Sequence, residues 1–125
     1  MANSYFSITT GDPLDTTTTF TAYIFIWPYW FDPYSQTGEI FLQVYRSVSS
    51  DAPGGAPVGQ AIQISIGSSA IVDESGNTVQ LLYTDIDDAG GNLSVANVFT
   101  ALQSISVLWP ANGESLDLST ATVLP

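Results

Sequence analysis

The side chains this sequence offers for acid–base chemistry are carboxylates and tyrosines, because it contains no histidine, no cysteine and no lysine. Nucleophilic triads, imidazole or thiolate metal sites, Schiff bases and phosphate-loop lysines are thereby excluded. A pair of carboxylates hydrolyses glycosidic bonds, and Asp32, Glu39 and Asp51 stand close in sequence to an aromatic segment. Any acidic chain offers such pairs, and solvated loop carboxylates are the plainer reading. No catalytic residue is assigned. A small enzyme working with carboxylates and tyrosines is the third reading of function, behind binding and assembly.

A second cluster, Asp85-Ile86-Asp87-Asp88-Ala89-Gly90-Gly91-Asn92, resembles the opening of a calcium loop. Oxygen ligands alternating along the chain suit a hard cation. Ala89 and Ala96 stand where two ligands of the twelve-residue pattern belong, so the match is partial. Calcium held by Asp85, Asp87, Asp88 and Asn92 is one expectation. The other is an acidic turn whose side chains bond to their own backbone.

The strongest local signal is aromatic: seven of the twelve residues from Tyr23 to Tyr34 are Tyr, Phe or Trp. Such side chains join a large apolar area to a polar tip, which suits interfaces and stacking on sugar rings. Tyr29, Trp30 and Tyr34, with Asp32 beside them, form the expected binding platform. Phe25, Trp27 and Phe31 are assigned to the core. The lone cation, Arg46, is expected to pair with a carboxylate of the fold.

These residues need strands to position them. From Phe20 to Phe31 both faces of a period-2 pattern are apolar, with Phe20, Ala22, Ile24, Ile26 and Trp30 on one side. Tyr23, Phe25, Trp27, Tyr29 and Phe31 occupy the other. Such a strand is buried on both sides, or has one face in the core and one against a partner. Pro28 lacks an N–H, so the strand is expected to end, bulge or lie on an edge there. Residues 39–48 and 58–66 also alternate and are read as a hairpin around a nine-residue Gly/Pro-rich loop. The runs 70–72 and 78–84 flank a turn at 73–77, and Ser94 is an N-cap for a short helix within 94–103. A strand at 105–109, a turn at 110–113 and a last strand within 116–123 complete the pattern.

Short strands between turn clusters indicate an all-β fold, an antiparallel β-sandwich or, as the alternative, a small β-barrel. The 125 residues are read as one domain, with 45 % hydrophobic residues, enough for a core without disulfides. Charged residues make up only 10 %, and the formal net charge is −11. That charge disfavours nucleic acid and anionic membrane surfaces as partners. No run is long and apolar enough to insert as a helix. No signal peptide is visible, which fits a cytoplasmic chain or a mature secreted one. No motif of a known family stands in the sequence.

Two readings of function lead. One is a non-catalytic, lectin-like binding module that recognises a carbohydrate or a partner surface through its aromatic platform. The other is a self-assembling subunit of a filament, shell or inclusion, with the apolar strand as its contact. A homo-oligomer is expected in either case.

Overall fold

Runs of β-branched and aromatic residues between Gly, Pro, Asn and Asp clusters set the element pattern. The computed structural model describes residues 5–50, 52–88, 90 and 92–124, save the side chains of Pro28 and Tyr29. It opens with β1 (Tyr5–Asp12) and the long β2 (Asp15–Asp32), followed by β3 (Thr37–Tyr45), β4 (Ser47–Ser49) and β5 (Ala52–Gly54). Then come β6 (Ile62–Gly67), β7 (Ile71–Val72), β8 (Thr78–Leu82), α1 (Tyr83–Ile86) and α2 (Val95–Leu102). The chain closes with β9 (Ser106–Trp109), β10 (Glu114–Asp117) and β11 (Thr122–Leu124).

Seven strands make one sheet in the order β11-β1-β2-β3-β6-β8-β7. Its two ends are different strands, so the sheet is open and the barrel alternative does not hold. The all-β class is as expected, and so is the short helix within 94–103, which is α2; α1 is an addition to that reading. The sheet is mixed rather than wholly antiparallel, because β6 and β8 run parallel. The second layer is also smaller than a full sheet: it is the β9–β10 hairpin together with α2.

The main core lies between these layers. Phe6, Ile24, Ile40, Leu42, Ile64 and Ile66 of the large sheet pack with Val98, Phe99, Leu102, Val107, Trp109 and Leu116. Fully burying a side chain of this size stabilises by roughly 1.5–3 kcal/mol. Phe6 stacks on Phe99 with ring centres 4.5 Å apart, joining β1 to α2. The helix starts where its sequence allows: the Ser94 hydroxyl accepts the Asn97 N–H at 3.2 Å.

Several boundaries differ from the sequence reading. The loop between β3 and β6 folds into its own hairpin, β4–β5. The strand expected from Val58 begins only at Ile62, while the Val58 N–H donates to the Val44 carbonyl at 2.7 Å. The run 78–84 leaves the sheet at Leu82 and coils into α1. The last expected strand is split into β10 and β11, because Asp117 accepts the Ser119 N–H at 3.1 Å and turns the chain.

Candidate functional site

The face of the large sheet turned away from the main core is built by alternation. Side chains directly opposite across a ladder share a face. Ile24, Ile26 and Pro28 of β2 lie opposite Val44, Leu42 and Ile40, three core residues of β3. Tyr23, Phe25 and Trp27 therefore lie on the other face, opposite Tyr45, Gln43 and Phe41.

At its near end this face is sealed. Tyr5, Phe25 and Tyr45 form a second buried cluster, with Tyr23, Val48 and Leu124 packed against it. Phe25 stacks on Tyr5 at 4.7 Å and meets Tyr45 edge-on at 5.7 Å. At its far end the face is open. Trp27 and Trp30 remain 46 % and 43 % exposed.

A bulge puts both tryptophans there. The register shifts between Pro28 and Trp30, so Pro28 lies opposite Ile40 and Trp30 opposite Glu39. The ladder skips Tyr29, as a proline without an N–H favours. Strict alternation places Trp30 with the core residues and Phe31 with the aromatics. The structure reverses the two. Phe31 lies opposite Gly38, packs against the main core and stacks on Tyr83 at 4.9 Å. Glycine is needed at 38, where a Cβ would stand 2.7 Å from the Trp30 carbonyl oxygen.

Polar side chains adjoin the open tryptophans. Glu39 lies between Trp30 and Ser65, and Phe41 lies between Trp27 and Gln63. Gln43 flanks Phe25 and accepts the Tyr45 hydroxyl at 2.7 Å. Among the described residues, the carboxylates of this stretch of the ladder are Glu39, opposite Trp30, and Asp32, at the end of β2.

Of the expected platform, Trp30 lies on the open face and Tyr34 is 98 % exposed at the tip of the β2–β3 turn. The Tyr29 side chain lies outside the described residues. Asp32 is committed to the turn: its carboxylate accepts the Tyr34 N–H and the Ser35 hydroxyl, each at 2.9 Å. The Ser35 hydroxyl first, and then the Tyr34 N–H, hold the Asp32 carboxyl below its ordinary pKa. Trp27, assigned to the core from the sequence, joins Trp30 on the open face instead. Phe41, Gln63 and Ser65 join the site through strand register, which no sequence spacing announces.

Of the carboxylates considered for catalysis, Asp32 is taken by its turn, Glu39 adjoins the open indoles, and Asp51 lies outside the described residues. The calcium-like cluster is divided. Asp88 Oδ1 accepts the Gly90 N–H at 2.7 Å and the Asn92 N–H at 3.1 Å, which together lower the Asp88 pKa. Asp85 lines a separate polar hollow of about 310 Å³ with Asn97, Thr100 and Ser104. The Asp87 carbonyl accepts the Asn97 side-chain amide at 3.1 Å. Ala89 and Gly91 lie outside the described residues. Among the described residues no three acidic side chains gather closely enough to hold a metal ion.

Arg46 pairs with Asp12 through two hydrogen bonds of 2.9 and 2.7 Å. Its guanidinium lies 4.6 Å above the Phe20 ring, on the core side of β2 and on the opposite face from Trp27 and Trp30. It also borders a cleft of about 620 Å³ between Pro13, Leu14 and residues 54–59. Arg46 is that cleft's only ionisable wall residue among the described residues.

Among the described residues no helix is long and apolar enough to cross a membrane. Comparison of the chain with protein-family models, with curated proteins and with solved structures finds no match. The functional reading therefore rests on the geometry of the site.

Proposed function

We propose that this protein is a non-catalytic binding module whose working surface is the open aromatic end of the large sheet, lectin-like in that it takes a carbohydrate by stacking. The observation that carries this reading is the pair Trp27 and Trp30, nearly half exposed on the same sheet face. Indoles of that size add most to stability when they are buried, so their exposure side by side favours a role in recognition. The commitment of Asp32 to its turn supports a non-catalytic role. The test is a glycan array probed with the labelled protein and with Trp27→Ala and Trp30→Ala. The reading expects carbohydrate signals from the wild type that both variants lose. Identical patterns from all three proteins would contradict it.

Self-assembly is the second reading, supported at the edges of the sheet. Edge strand β7 exposes Ile71 and Val72, 44 % and 61 % accessible, and carries no charge. Edge strand β11 exposes Val123. Lysine, proline and inward charges commonly guard such edges against pairing with another chain. Pairing of β7 with β11 of a second copy would continue the sheet. That reading expects large particles in light scattering, whereas the binding module expects a discrete one.

A further inference from the structure

Resting on the reading of the tryptophan face as a carbohydrate surface, we infer that its ligand is a neutral, linear glycan lying along β2, and that anionic polysaccharides are rejected. Direction comes from the register. Trp27 and Trp30 sit on one strand, opposite Phe41 and Glu39, and so are two ladder steps, or about 7 Å, apart along β2. Tyr34, 98 % exposed, lies two residues beyond that strand in the β2–β3 turn. Successive rings of an extended chain meet such a row one after another, whereas a compact headgroup meets only one indole.

The charge preference comes from what borders the row. Glu39 adjoins Trp30, with Ser65 beyond it, and Gln63 adjoins Phe41. Amide and hydroxyl groups donate and accept hydrogen bonds, and a carboxylate accepts them from sugar hydroxyls. None of these groups compensates a sulfate or a uronate. The one cation in the sequence is held by Asp12 against Phe20, on the other side of the sheet. A uronic acid stacked on Trp30 would bring its carboxylate to Glu39 without a counter-charge, and the net charge of −11 adds long-range repulsion.

Affinity electrophoresis in native gels tests this, using one neutral and one anionic set of soluble polymers. The neutral set is hydroxyethylcellulose, mixed-linkage β-glucan, xylan and galactomannan; the anionic set is polygalacturonate, alginate and dextran sulfate. The expected result is retardation by at least one neutral polymer and by no anionic one, with binding about tenfold weaker or worse in Trp27→Ala and Trp30→Ala. Glu39→Gln, which removes the carboxylate opposite Trp30, is expected to raise binding to polygalacturonate relative to the neutral polymers, and an unchanged ratio would overturn the charge assignment. Retardation by anionic polymers as strong as by neutral ones would overturn the charge assignment and leave the aromatic binding surface standing. Absence of retardation by every neutral polymer would overturn the neutral-glycan assignment, while tryptophan-dependent signals on the glycan array would still uphold the binding surface itself.

Discussion

At the scale of single residues, charge in this protein works mainly through hydrogen bonds inside turns. Asp12, Asp15, Asp32 and Asp88 all sit below the ordinary carboxylate pKa because hydroxyl, guanidinium or backbone N–H donors meet their charged form. Asp12 shows the largest effect: the Arg46 guanidinium first, and then the Leu14 N–H, lower its pKa from 3.8 to about 2. A depressed pKa in the folded state means that folding favours the ionised carboxylate. The stabilisation from this group is therefore complete above pH 3.8 and is lost as the pH falls toward about 2. Asp12→Asn is expected to melt below the wild type at pH 7, with the gap closing between about pH 4 and pH 2. Thermal melts across that range check this, and a gap independent of pH would contradict it. Trp27 and Trp30 contrast with these turn residues, since they lie on the sheet face and their indoles are left nearly half exposed.

At the scale of elements, the bulge in β2 decides which aromatics serve the fold and which face outward. Phe31→Ala is expected to destabilise the protein by about 2–3 kcal/mol, because it removes a partly buried ring stacked on Tyr83. Trp30→Ala is expected to cost about 1 kcal/mol or less, as for an exposed substitution. Denaturant melts of the two variants check the order, and strict alternation predicts the reverse. Gly38→Ala places a methyl 2.7 Å from the Trp30 carbonyl oxygen and is expected to cost about 1–3 kcal/mol. The strand pattern, the irregularity at Pro28, the Ser94 cap and the hairpin at 73–77 were legible in the sequence because each depends on neighbouring residues. Residue type put Trp30 on the platform and Phe31 in the core, as found, whereas strict alternation alone misplaces both, because one skipped residue inverts all that follows it. The parallel pairing of β6 with β8 was hidden for a similar reason: it joins runs whose turns say nothing of their order.

At the scale of the whole molecule, one thick core leaves the other sheet face half covered, by the Tyr5–Phe25–Tyr45 cluster and the β4–β5 hairpin that brings Val48 to it. The uncovered remainder is the surface on which the functional reading stands. Which strands flank Trp27 and Trp30 follows from the order of the sheet, so Phe41, Gln63 and Ser65 entered the site only with the fold. Size-exclusion light scattering at pH 7 and near the sequence pI of 4.1 separates binding from assembly. The binding reading expects the same discrete particle at both values; growing ordered particles as the carboxylates protonate would favour assembly through the sheet edges. The central claim is that the two tryptophans serve recognition and not the fold. Its most direct test is the Trp27→Ala/Trp30→Ala double variant, melted and run beside the wild type on the neutral polysaccharide gels. A melting temperature lowered by no more than about 5 °C together with loss of retardation is the predicted result. A far larger drop in melting temperature, or retardation equal to that of the wild type, would contradict the claim.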